Sequence, residues 1–245
     1  SDTLISSIPE PLPASLTSLD CNHCFRLRAL PSPLPESLAL LDCSSTNTSA
    51  LPELPSSLTY LNTSTTCIRS LPPLPSKLHT LACANTPLQQ LPSSLPHSLH
   101  MLHCSETKIS TLPSLPPHLL FLICRGTRTI AALPDQLPSS LRVLDCDGSP
   151  LRELPDLPTG LRVLRCNTSL NSTVVLPSSL EVLHCPTMAL RELPPMIPTR
   201  LLGGYFVCKD LDRSIGGRGG EARIRTDALG RCPFNLFILH KAPYH

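Results

Sequence analysis

The stretch Leu141-Arg142-Val143-Leu144-Asp145-Cys146-Asp147-Gly148-Ser149 contains the pattern that decides the fold. Its spacing is L-x-x-L-x-C, followed three positions later by a hydroxyl residue. Successive side chains of a β-strand point to opposite faces. The pattern therefore predicts a short strand in which Leu144 and Cys146 point inward while Val143 and Asp145 point outward.

The same L-x-x-L-x-C-x-x-T pattern recurs along the chain at a nearly constant period. Steps between copies are 19 to 22 residues, and the pattern fades at Leu201. A period of this size is the signature of a leucine-rich repeat. We therefore predict a β-rich solenoid whose short strands form a parallel sheet on the concave face. The nine copies begin at Leu16, Leu38, Leu58, Leu78, Leu99, Leu119, Leu141, Leu161 and Leu180.

A second pattern, L-P-x-L-P, lies between the strands, for example at Leu51-Pro52-Glu53-Leu54-Pro55. Proline fixes φ and has no N–H donor, so a helix is disfavoured there. We expect a convex side resembling polyproline II, whose backbone stays solvated while its leucines turn inward. The 29 prolines are thus interpreted as periodic scaffold.

The repeat divides the chain into three predicted parts. Residues 1–15 lead into the solenoid, residues 16–201 hold about nine copies, and residues 202–245 form a C-terminal cap. In the cap, Gly216–Gly220 indicates a loop, while Tyr205–Val207 and Phe234–Leu239 read as short strands. Open solenoid ends need such protection.

Composition narrows the function classes. The net charge of +2 favours neither a nucleic-acid nor a membrane-surface partner. The longest apolar run, Leu119 to Cys124, is far shorter than the ~20 residues that span a bilayer. Ser1 to Ile8 has no secretory signal pattern.

The two patterns together resemble the leucine-rich domains of the IpaH/YopM-type bacterial effectors, from about Ile8 to Leu201. Cys and Thr stand at positions that are usually aliphatic and Asn in that family. The resemblance implies a non-enzymatic module that binds proteins, acting on host proteins in a host cytosol. It also implies that the Thr column bridges successive coils, as the family's Asn does.

The sequence was also compared with known catalytic motifs. H-E-x-x-H, G-x-S-x-G and phosphate-binding glycine loops do not occur. Cys208-Lys209-Asp210 matches the C-x-D nucleophile motif of the IpaH-type ubiquitin-ligase domain, but only 37 residues follow Cys208. We therefore predict no enzymatic activity and no cofactor.

Cysteine occupies the inward position in eight of nine copies, and Thr63 is the exception. This cysteine file has three interpretations: small buried hydrophobes, disulfides, or a soft-metal site. The first is favoured, and a core of free thiols favours a reducing compartment. A metal-binding or redox protein is the alternative function, and its ligands would be Cys21, Cys43, Cys83, Cys104, Cys124, Cys146, Cys166 and Cys185.

Outward strand residues are the ones that a partner would meet. The first outward column is Ser18, Leu40, Tyr60, Thr80, Met101, Phe121, Val143, Val163 and Val182, and it is wholly apolar from Met101 onward. Exposed apolar strips usually mark interaction sites, so we predict a protein partner, with self-association as an alternative. The predicted binding residues are Tyr60, Met101, Phe121, Arg142, Val143, Arg162, Val163 and Arg165.

Overall fold

The computed structural model describes residues 5–166 and 175–184 with their side chains. It also describes the backbone of residues 185–189, 203–207, 221–224 and 237–240. Residues 208–220, with the predicted glycine loop and Cys208-Lys209-Asp210, lie outside the described residues.

The described residues form twelve strands in a single sheet whose spatial order is the chain order. We number the coils after the strands that they carry, so that coil 1 carries β1. The strands are β1 Ser18–Asp20, β2 Leu40–Asp42, β3 Tyr60–Asn62, β4 Thr80–Ala82, β5 Met101–His103, β6 Phe121–Ile123, β7 Val143–Cys146, β8 Val163–Cys166, β9 Val182–Ala189, β10 Gly203–Val207, β11 Glu221–Ile224 and β12 Phe237–His240.

Strand pairing follows the sequence repeat without a slip from β1 to β9. Each strand pairs in parallel with the next, and equivalent positions such as Leu81 and Leu102 stand opposite each other. β10 pairs in parallel with β9, whereas β11 and β12 pair antiparallel. The predicted solenoid with a parallel sheet is confirmed, and β11 has no counterpart among the sequence predictions.

A proline turn directs the chain into each strand. In coil 5 the N–H of Leu99 donates to the carbonyl of Pro96 at 3.0 Å, and the same i to i+3 bond opens all nine coils. Proline supplies the carbonyl of this turn, and the leucine three residues later supplies the N–H. Among the described residues there is no helix, as the L-P-x-L-P pattern predicts, and none therefore that could span a membrane.

A left-handed residue ends each of the first seven strands. Its φ lies between 53° and 72°, and glycine occupies the position only in coils 6 and 7. In coil 3 this residue is Thr65, whose N–H donates to the carbonyl of Ala84 in the next coil at 2.8 Å. The turn therefore continues the hydrogen-bond ladder that the strands begin.

Stacked leucines form the core. Both strand leucines of each coil from 2 to 8 are fully buried, for example Leu99 and Leu102 at 0% exposure. Leucines of the convex side, such as Leu115 and Leu157, pack against them from behind. Leucine thus supplies the burial that a chain with 3% aromatic residues cannot obtain from rings.

Candidate interaction face

The first outward column runs along the concave face in strict register. Met101 pairs with Phe121, Phe121 with Val143, and Val143 with Val163. Phe121 is 38% exposed, and Met101, Val143, Val163 and Val182 are half-buried. We call the five residues from Met101 to Val182 the apolar strip. No described element covers it.

The second outward column begins acidic. Asp20 and Asp42 occupy this column in coils 1 and 2, and Asn62 follows in coil 3. The Asn62 Nδ2 group donates to Asp42 Oδ2 at 2.9 Å. Burial and the neighbouring Asp42 carboxylate raise the pKa of the Tyr60 hydroxyl above its usual value. This end of the concave face therefore carries negative charge.

Farther along, the second column holds an ion pair. Asp145 is buried, at 5% exposure, and its Oδ2 atom lies 3.4 Å from Arg165 Nη1. Burial lowers the pKa of His103 in the same column, and the Asp145 carboxylate partly opposes this shift. Arg165, a predicted binding residue, is thus already engaged with a carboxylate of its own chain.

Two further arginines of coils 6 to 8, Arg162 and Arg125, are also paired with carboxylates. Arg162 Nε and Nη2 donate to Glu181 Oε1 at 2.9 and 2.5 Å, and Arg125 Nε lies 3.7 Å from Asp147 Oδ2. These ion pairs could not be predicted from the sequence because each joins residues about 20 positions apart. The structure places them beside the apolar strip with part of their charge neutralised.

The sequence analysis did not predict a column of serines at the edge that leads into the strands. In coil 7 the Ser140 hydroxyl lies 2.8 Å from the Pro117 carbonyl and 2.7 Å from that of Leu119, and donates to this pair. Ser37, Ser98 and Ser179 make the equivalent contacts to their preceding coils. The recurring P-x-S-L tetrapeptide was the signal that could have revealed this bridge.

Arg142 substitutes for the serine that coil 8 lacks. Gly160 occupies the serine position there, and the equivalent carbonyls of coil 7 belong to Ser139 and Leu141. Arg142 Nη1 donates to both, at 3.2 and 3.3 Å, and to the Gly160 carbonyl at 3.3 Å. A Cβ atom on Gly160 would stand 2.2 Å from Nη1. The glycine therefore makes room for the guanidinium.

This arrangement predicts coupling between Arg142 and Gly160. Arg142→Ala should lower the free energy of unfolding by about 1 kcal/mol, because one exposed and two part-buried carbonyls lose a charged donor. With Gly160→Ser, which restores the hydroxyl, the same change should cost under about 0.5 kcal/mol. Urea unfolding of the four proteins in the cycle measures this. Additive losses would show that Arg142 does not replace the serine.

The cysteine file contributes hydrogen bonds as well as volume. The thiols of Cys21, Cys43 and Cys146 point at strand carbonyls of the following coil, with Sγ to O distances of 3.3 to 3.5 Å. The Thr63 hydroxyl contacts the Ala82 carbonyl in the same way at 3.3 Å. Thr63 therefore fits the cysteine pattern, since it fills a similar space and donates in the same direction.

Burial holds these thiols in the protonated form. It raises the pKa of Cys21 to about 12 and that of Cys83 to about 12, and that of Cys104 well above its usual value of 9.0. Metal ligation and thiol chemistry both use the thiolate. Within residues 5–166 no cysteine is joined in a disulfide, and no three ligand-type side chains are grouped around a possible ion. The Cys185 side chain lies outside the described residues.

The threonine column consists of the hydroxyl residues that lie three positions after the inward cysteine. It was expected to bridge successive coils, and most of its members do not. Thr46, Thr66, Thr86 and Thr107 instead donate to the carbonyl three residues earlier in their own coil, at 2.7 to 2.9 Å. Only Thr127 and Ser149, of the described column, reach the preceding coil. Both follow glycines, and a Cβ on Gly148 would lie 3.4 Å from Gly126 Cα. The prediction was wrong for the first four, whose hydroxyls bond within their own coil.

Comparison with solved structures places this geometry among known proteins. YopM from Yersinia enterocolitica superposes with a TM-score of 0.73 at 31% identity, over 84% of this chain and 47% of YopM. The chain is a leucine-rich-repeat solenoid. A Shigella effector leucine-rich-repeat domain matches at 29% identity with a TM-score of 0.54, over 60% of this chain and 66% of that domain.

A third solenoid shares the overall fold. The functional domain of InlJ from Listeria monocytogenes, which includes a cysteine ladder, matches with a TM-score of 0.60 at 24% identity, over 74% of this chain and 46% of InlJ. No family model and no curated protein matches the sequence. The chain spans about half the length of the YopM and InlJ structures. These neighbours support a protein-interaction repeat module of the effector-like type.

Proposed function

We propose that this leucine-rich-repeat solenoid binds a protein partner on its concave face, and that it is the binding module of a bacterial effector acting on host proteins. The apolar strip carries the proposal. Five apolar side chains stand in register across coils 5 to 9, at the surface of a sheet that no described element covers. A contiguous apolar surface that is partly exposed is typical of interaction sites.

The contact residues follow from position on this face. The apolar floor of the site would consist of Met101, Phe121, Val143 and Val163. Tyr60 would extend this floor toward the acidic end. Arg142, Arg162 and Arg165 would border the floor, with their intramolecular partners fixing their orientation. Large aromatic and arginine side chains are favoured anchors in protein interfaces. The chemistry of the thiol file suits a reducing compartment such as a host cytosol.

Phe121→Asp tests the proposal. A charge in the centre of the strip should weaken partner capture at least about tenfold, since it must be desolvated against an apolar surface. The fold should persist because Phe121 is 38% exposed. Affinity capture from host-cell lysate, followed by titration of the purified partner, measures the effect.

The matched control is Phe25→Asp. Phe25 is 50% exposed but lies beyond the end of β1, outside the strip. This variant should capture the partner as well as the parent chain does. Equal capture by all three proteins would exclude the concave strip as the binding site. Mass measurement of each protein in solution shows whether the captured partner is a second copy of the chain.

A further inference from the structure

Charged residues are unevenly distributed along the solenoid. Residues 54–134, which span coils 3 to 6, contain five Lys and Arg side chains and one carboxylate, Glu106, for a net charge of +4. Five of the nine histidines lie in the same stretch. Residues 5–53 carry two arginines and five carboxylates, a net charge of −3. The central coils are therefore nearly free of acidic groups, unlike the first coils.

The cations among these groups are exposed and lie on the segments that lead into and out of the strands, and we call these segments the two rims. The leading edge, which precedes the strands, carries Lys77, His79, His97, His100 and His118. Its imidazoles are neighbours: the ring centroids of His79 and His100 lie 5.4 Å apart, and those of His100 and His118 lie 6.4 Å apart. The trailing edge, which follows the strands, carries Arg69, Lys108, Arg125 and Arg128.

The positive charge of the central rims is largely unpaired. The three ion pairs found among the described residues involve Arg125, Arg162 and Arg165, so only one of them includes a rim residue. Within the part of the chain that the structure describes, Arg69, Lys77, Lys108 and Arg128 have no carboxylate partner. Coil 8 differs, because its Arg162 and Arg165 are paired with Glu181 and Asp145.

We infer that the concave face of coils 3 to 6 binds an acidic protein segment, whose apolar side chains contact Met101 and Phe121 while its carboxylates meet the two rims. The inference rests on the proposed function and names the chemistry of its partner. Complementary charge speeds and selects association more than it adds raw affinity.

Two labelled synthetic peptides test the inference. One is rich in Glu around a central Phe-Leu pair, and its twin has Lys in place of each Glu. Fluorescence anisotropy should show that the acidic peptide binds at least about tenfold tighter than its Lys twin, since each exposed ion pair adds a few-fold. The affinity should fall as salt rises. Equal binding of both peptides, or no binding of the acidic one, would overturn the inference.

Variants locate the effect. Lys77→Gln, Lys108→Gln and Arg128→Gln together should weaken binding of the acidic peptide about fivefold or more, since each removes an exposed charge. Arg28→Gln, an exposed cation on coil 1, is the control and should keep the full affinity. An unchanged affinity in the triple variant would contradict the assignment to coils 3 to 6.

Binding of a labelled single-stranded RNA tests whether this surface prefers a nucleic acid to an acidic protein segment. Tighter binding of RNA than of the acidic peptide would overturn the protein assignment. Failure of the peptide to bind, together with partner capture that Phe121→Asp abolishes, would reject this inference and leave the proposed function standing. Partner capture that is insensitive to Phe121→Asp would reject the proposed function itself.

Discussion

Leu102→Ala is expected to lower the free energy of unfolding by about 3–4 kcal/mol. Leu102 is fully buried in coil 5, between Leu81 and Leu122 in the neighbouring strands. Removing its branched end leaves a cavity that two coils border, and rigid strands restrict collapse around it. A loss of this size is a large share of the stability of an ordinary domain. Urea unfolding followed by circular dichroism measures it.

Leu157→Ala is the matched control. Leu157 is half-buried on the convex side and packs against the same core, so its truncation should cost about 1–1.5 kcal/mol. Because repeats contact only their neighbours, the Leu102 variant should also lose cooperativity, seen as a broader transition. Equal losses at the two positions would contradict the view that the strand leucines carry most of the core energy.

Alkaline unfolding near pH 10 is the second large effect. Burial raises the pKa of six thiols in the folded chain above their usual value of 9.0, namely Cys21, Cys43, Cys83, Cys104, Cys124 and Cys146. The unfolded chain loses these protons from about pH 9 upward, and the folded chain keeps them. Stability is therefore complete below about pH 9 and falls as the pH rises beyond it.

The size of the effect follows from linkage. At one pH unit above the pKa that a thiol has in the unfolded chain, each thiol lowers the free energy of unfolding by about 1.4 kcal/mol. Six thiols together lower it by about 8 kcal/mol. That value is comparable to the whole stability of a typical domain, about 5–15 kcal/mol. Circular dichroism at rising pH, under reductant and with return to pH 7, should show reversible loss of the sheet near pH 10.

Substitution of cysteine by threonine provides the control. Cys83→Thr with Cys124→Thr copies the residue that coil 3 already has at Thr63, where the hydroxyl donates to the next strand. Two of six titrating groups are then absent, so the loss between pH 9 and 10 should shrink by about a third. A fold that persists to pH 11, or an unaltered profile in this variant, would contradict the assignment to the buried thiols.

The two effects bear on function because both describe a rigid scaffold. Leucines and thiols hold the strands in register, and register in turn aligns the apolar strip over coils 5 to 9. The thiol file is buried and protonated, so it supports the face without presenting a reactive group there. Mutations on the strip can accordingly be interpreted as binding effects, separate from those of the core.

The strand positions and the inward or outward direction of each strand residue could be predicted from the sequence. Leu144, Cys146 and Val143 obey an alternation that depends only on backbone geometry. The proline-rich convex side was predictable for the same reason, since proline restricts its own residue and the one before it. The repeat copies this local information nine times, which makes it reliable.

Pairings between coils could not be predicted in this way. The periodicity placed Arg142, Arg162 and Arg165 near the apolar strip but did not show that their charge is engaged by Ser139, Glu181 and Asp145. Nor did it reveal that P-x-S-L forms a bridge, although the motif is visible once its partners are known. The threonine column was misjudged because hydroxyl reach depends on the spacing of adjacent turns.

The sequence by itself determined the solenoid, its core and the line of the apolar strip, because each is set within one repeat by spacing and by proline. Only the tertiary structure decided which charges remain available on the concave face. Ion pairs and serine bridges join residues about 20 positions apart, and whether they form depends on side-chain length and on the small gaps between coils. That is why only the structure could distinguish the unpaired Arg69, Lys77, Lys108 and Arg128 from the paired Arg162 and Arg165.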